Sequence, residues 1–114
     1  PQEVLNDLAP HGITWSPHER LDEVLDEVDV LYVTRVQKER FPDEASYEAL
    51  KDAYIVTPDT LARMRSDAVL MHPLPRVNEI HPGCDAAPRA ASFRQLGDGM
   101  SVRMALLALV LGRA

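Results

Sequence analysis

A chain of 114 residues, 46% apolar and 26% charged, has the make-up of one globular domain or part of one. Its net charge of −6 argues against a nucleic-acid or anionic-membrane surface, since either needs clustered positive charge. Cys84 stands alone, so no internal disulfide and no cysteine-based zinc site can form.

Taken in order, Val4, Leu5 and Leu8 recur at helical spacing over residues 2–9, and Gly12 is a natural stop. Ile13 to Trp15 reads as a short strand. Ser16-Pro17-His18-Glu19 combines a capping serine, a first-turn proline and a glutamate three residues on, which predicts a helix start. Leu21, Val24, Leu25 and Val28 would be its buried stripe, with Asp22, Glu23, Asp26 and Glu27 on its solvated face.

Val30 to Val33 is a second strand, ending at Thr34 and Arg35. After a charged turn at 38–40 and Pro42, Asp43 or Glu44 opens a helix carrying Tyr47, Leu50 and Lys51. Tyr54 to Val56 predicts a third strand. Thr57-Pro58 repeats the cap-plus-proline start, with Leu61, Ala62 and Met64 facing inward. Ala68 to Met71 is a fourth strand of the kind buried on both faces. Residues 81–91 lack periodicity and read as loop. Gly97 and Gly99 precede a last helix, apolar at every position from Met104 to Leu111 and therefore expected to be buried. Strands alternating with helices predict an α/β fold with a parallel sheet of about four strands.

In such sheets ligands bind outside the carboxyl ends of the strands. Two of those ends carry unusual polar sequence, Thr34 to Arg40 and His72-Pro73-Leu74-Pro75-Arg76. If their strands are neighbours, both loops open on one crevice. Arg35 offers a rigid fork for a carboxylate, and Gln37 offers an amide donor and acceptor. The pair suits an acidic amino-acid substrate. The plainer alternative is a surface ion pair of Arg35 with Glu39, worth ~0–1 kcal/mol. Neither Pro73 nor Pro75 can give a ladder hydrogen bond, so the second loop is stiff enough to aim carbonyls at a small ligand. A proline-rich turn leaving a strand is the plain reading there.

Three segments in order, VLYVTRVQKERF at 30–41, MHPLPRVNEI at 71–80 and GDGMSVRMALLALVLGR at 97–113, resemble the aspartate carbamoyltransferase family. The resemblance covers nearly the whole chain. It implies a Rossmann-like, partial aspartate-binding domain of the aspartate/ornithine carbamoyltransferase fold over 1–114. It implies an enzyme that moves the carbamoyl group of carbamoyl phosphate to L-aspartate in pyrimidine biosynthesis, with no cofactor or metal. Arg35 and Gln37 match residues that hold aspartate. Leu74 and Pro75 match those whose carbonyls face the carbamoyl amide, with Pro73 beside them. Lys38, Glu39 and Arg40 match residues of the domain interface that take part in closure, and Arg76 and Glu79 are assigned there too. His72 is either a proton carrier or an orienting group. A cis Leu74–Pro75 peptide is expected, turning the chain sharply so that neighbouring carbonyls face one ligand.

The ornithine branch of the fold carries Cys after the His, where this chain has Pro73, so aspartate is the expected substrate and ornithine the alternative. A receiver-type interaction module would need acidic strand ends, and these carry Arg35 and His72 instead. The family's Ser-x-Arg-Thr phosphate loop and Gly-Arg-Thr-x-His segment do not occur among the 114 residues. A chain opening on Pro1 fits a fragment whose carbamoyl-phosphate domain and first strand–helix unit are missing. The resemblance further implies a homotrimeric parent. With no visible signal peptide and no apolar run near ~18 residues, a cytoplasmic setting is expected.

Overall fold

The computed structural model describes residues 2–113. Helix α1 spans Gln2–Leu8 and runs into a 3₁₀ turn at Ala9–His11. Gly12 stops it at a φ of 68°, the left-handed conformation that suits glycine. Strand β1 is Val30–Tyr32, α2 is Glu44–Leu50, α3 is Pro58–Arg63, β2 is Val69–Met71 and α4 is Ser92–Val110. The two strands pair in parallel, Val30 opposite Val69 and Tyr32 opposite Met71. Single parallel bridges join Val56 to Ile80 and Leu70 to Ala90, so residues 89–91 flank the far side of β2.

The caps explain where α2 and α3 begin. The Asp43 carboxylate accepts the Ser46 N–H at 2.8 Å. Thr57 and Thr60 form a reciprocal box, each side-chain oxygen accepting the other's backbone N–H, with Pro58 following. Leu25, Val56, Leu61, Met64, Ala68, Leu70, Ile80 and Cys84 make the core beneath the sheet.

The α/β class and the parallel pairing are as expected; several element bounds are not. Of the four expected strands, two form. Ile13 and Trp15 lie exposed without a ladder partner, and of Tyr54 to Val56 only Val56 pairs. The helix expected from Ser16 reduces to a 3₁₀ turn at Leu21–Glu23 followed by hydrogen-bonded turns. Ser16 Oγ is taken up by His18 Nε2 at 2.8 Å instead of capping. Like charges four apart, Asp22 with Asp26 and Glu23 with Glu27, also oppose a regular helix. The apolar stripe still turns inward, with Leu25 fully buried. Ala62 is exposed, contrary to its expected inward place, because Leu61 and Met64 fill that side of α3.

The last helix starts well before the glycines thought to precede it. Gly97 and Gly99 lie inside α4, whose end is set by Gly112 at a φ of 63°. There Gly112 N–H bonds the Leu109 carbonyl and Arg113 N–H the Ala108 carbonyl, a Schellman closure. The apolar run of α4 is exposed, not buried: Leu107 is 63% and Val110 83% accessible. Residues 81–91 hold a 3₁₀ turn at Pro82–Cys84, and burial of Cys84 holds its thiol above the usual range.

Candidate active site

Because β1 and β2 are parallel neighbours in register, the loops that follow them leave from the same edge of the sheet. Val33 N–H donates to the Met71 carbonyl at 2.9 Å, holding the pair together to the last residue. One loop carries residues 34–41, the other 72–80.

In the first loop, Thr34, Arg35, Gln37, Arg40 and Phe41 line a cavity of about 360 Å³. Arg35 donates to both carboxylate oxygens of Glu39, four residues on; the Nη1 contact is 3.3 Å. The surface ion pair weighed as the plainer alternative therefore exists, and it occupies both prongs of the Arg35 fork. The Glu39 carboxyl lies below its usual range because its own backbone N–H and Arg35 both donate to it. Lys38 pairs with Glu44 and lies 5.6 Å over the Tyr47 ring. That bond to Glu44 raises the Lys38 ammonium above its usual value. A 3₁₀ turn, Lys38–Arg40, sets these charges on the outside.

The second loop is built differently. His72 is 1% exposed. Its Nδ1 accepts the Leu74 N–H at 2.9 Å, which assigns the ring proton to Nε2. Nε2 then donates to Glu79 Oε1 at 2.7 Å. The other oxygen of Glu79 accepts the N–H groups of Val77 at 3.0 Å and Asn78 at 3.1 Å. Burial pushes the Glu79 carboxyl up, but its own backbone N–H, that of Val77 and the His72 ring outweigh it and hold it below the usual range. Both ring nitrogens of His72 are thus committed within the loop, which makes it an orienting group here.

The Leu74–Pro75 peptide is cis, as expected, and Leu74 has a φ of 54°. Pro73 and Pro75 are exposed and Leu74 half-buried. Arg76 grips Asp85 through both nitrogens at 2.5 Å and stacks 5.8 Å from the Phe93 ring centre. The bond to Arg76 holds the Asp85 carboxyl low. Glu79 points inward, 4% exposed, and ties the loop from within. Among the described residues no cluster of His, Cys, Asp and Glu could hold a metal, and no helix is long and apolar enough to cross a membrane.

Sequence reasoning missed Gln95. Its Oε1 accepts the His72 N–H at 3.1 Å and its Nε2 donates to the Tyr32 hydroxyl at 3.1 Å. The glycines at 97 and 99 hid it, since they suggested a loop where α4 already runs.

The family profile of the aspartate/ornithine carbamoyltransferase Asp/Orn binding domain matches residues 2–110. The chain belongs to that family. It is 50% identical over 111 residues to an aspartate carbamoyltransferase catalytic subunit of Methanothermobacter thermautotrophicus, covering 97% of this chain and 35% of that one. It is also 50% identical over 113 residues to the multifunctional protein CAD of Squalus acanthias, covering 99% of this chain and 5% of that one. Among solved structures, aspartate transcarbamoylase from Trypanosoma cruzi, in complex with carbamoyl phosphate and aspartate, superimposes with a TM-score of 0.82. That likeness is at 40% identity and covers 94% of this chain and 36% of the other. The chain therefore spans about a third of the length of the catalytic subunits it matches.

Proposed function

We propose that these residues form the aspartate-binding half of an aspartate carbamoyltransferase. The carrying observation is that parallel β1 and β2 deliver the Arg35–Gln37 loop and the Leu74–Pro75 loop to one edge of the sheet. In this reading Arg35 and Gln37 hold the carboxylates of L-aspartate, with Arg35 exchanging Glu39 for substrate. The Leu74 and Pro75 carbonyls, beside Pro73, accept from the carbamoyl amide. The aspartate amine attacks the carbamoyl carbon, a tetrahedral intermediate forms, and breakdown expels phosphate to leave N-carbamoyl-L-aspartate. Catalysis is mainly positioning and charge stabilisation, so the loops need geometry more than a strong acid or base. Pro73 after His72, where the ornithine branch has Cys, favours aspartate over ornithine.

The phosphate side of the reaction belongs to a carbamoyl-phosphate domain outside these 114 residues, together with a first strand–helix unit that extends a Rossmann-like sheet. The exposed apolar half of α4 docks on that domain. Lys38, Glu39, Arg40 and Arg76 form the closing surface, and Glu79 supports it from within. The parent is a cytoplasmic homotrimer serving pyrimidine biosynthesis. The test is an assay with carbamoyl phosphate and either aspartate or ornithine. The full-length enzyme carrying this chain is expected to release carbamoyl aspartate and phosphate, and residues 1–114 alone to release neither. Turnover by the isolated chain, or preference for ornithine, would overturn the reading.

A further inference from the structure

Tyr32 is the last residue of β1, and His72 is the first after β2. One side chain touches both. The Gln95 amide, in the first turns of α4, accepts from the His72 backbone N–H and donates to the Tyr32 hydroxyl. Each side-chain oxygen or nitrogen of Gln95 thus holds the base of a different loop. From His72 the restraint passes on through Nδ1 to the Leu74 N–H, the residue before the cis proline. The start of α4 is itself tied to the sheet, because the N–H of Ala91, the residue just before the helix, donates to the Leu70 carbonyl at 2.8 Å.

We infer that Gln95 is a positioning residue that fixes the separation between the aspartate-holding loop and the carbamoyl-facing loop. The inference rests on the carbamoyltransferase reading and deepens it. An aspartate molecule bound to Arg35 and Gln37 is held by the first loop alone. Only when its amine meets the carbamoyl carbon must the two loops stand at the right distance. An interaction needed at that point and not before acts on kcat more than on KM. A misplacement of about 1 Å can cost roughly 100-fold in rate.

The test uses the full-length enzyme carrying this chain and three substitutions. Gln95→Met keeps the length and removes both hydrogen bonds. Gln95→Glu keeps two acceptors, one for the His72 N–H and one for a Tyr32 hydroxyl turned to donate. Tyr32→Phe cuts only the link to β1. The expected result is a fall in kcat of roughly 10- to 100-fold for Gln95→Met, with the KM for carbamoyl phosphate and the melting temperature little changed. Gln95→Glu should recover most of that loss. Tyr32→Phe should give a smaller fall that disappears as a separate effect once Gln95→Met is present. An active enzyme whose kcat is untouched by Gln95→Met overturns the inference alone. If that variant does not fold, an unchanged kcat in Tyr32→Phe overturns it. An unmutated enzyme inactive on aspartate would take down the carbamoyltransferase reading and this inference with it.

Discussion

The two loops at the strand ends leave the same edge of the sheet but are held by opposite means. Residues 72–80 are tied from inside, by a buried histidine and a buried carboxylate that accept the N–H groups of Leu74, Val77 and Asn78. Residues 34–41 are held by exposed pairs, Arg35 with Glu39 and Lys38 with Glu44, which water and salt can compete away. The difference suits the proposed division of labour. Carbonyls aimed at a small amide must not move. An arginine that receives a carboxylate must be able to release the one it already holds.

The sharpest way to break this contrast is Glu79→Ala. It strips the acceptor from the buried His72 ring and from two part-buried backbone N–H groups, and the orphaned ring donor is costly. A loss of about 3 kcal/mol is expected, read as an earlier unfolding midpoint in urea. A change within error would mean that the loop does not depend on this carboxylate.

Arg35→Ala attacks the other loop and should separate function from stability. Loss of a charge-assisted, two-pronged contact typically costs about 1.5–3 kcal/mol, so aspartate use in the full-length enzyme should fall by roughly 10- to 150-fold. The melting temperature should hold, and so should carbamoyl phosphate binding. Equal losses for both substrates would remove the assigned role.

Acid should distinguish the loops by a smaller margin. A carboxyl held low in the fold adds stability above its unfolded value, about 4.3 for glutamate, and loses it as pH falls through the lowered folded value. The stability gap between wild type and Glu79→Gln should therefore be widest above about pH 4.3 and close below it. A gap independent of pH would show that Glu79 titrates alike in both states. The mildest change is Glu39→Gln, which weakens an exposed pair. Thermal unfolding should barely respond, whereas the aspartate KM should shift as the competing carboxylate on Arg35 is lost. A clear drop in melting temperature with an unchanged KM would make the pair structural after all.

What the residues determined by themselves is local. Thr57-Pro58 and Asp43 announced α3 and α2, because a cap hydrogen bond needs only residues three apart. The runs at Val30 and Ala68 announced strands, and the polar residues after them announced two loops leaving them. The cis Leu74–Pro75 bond was expected from two prolines flanking one residue and from the family resemblance. Tertiary structure decided the rest. Ile13 to Trp15 has the apolar composition of a strand, but a strand requires a partner and finds none among the described residues. Residues 21–28 kept their inward stripe without a helix, since burial of Leu25 requires direction and not regularity. Gln95 read as an ordinary polar residue before two glycines, and Glu79 only as a residue of the closing interface. Their roles depend on which N–H groups the fold leaves in need of an acceptor, and those appear only once β2, the proline loop and α4 are packed together.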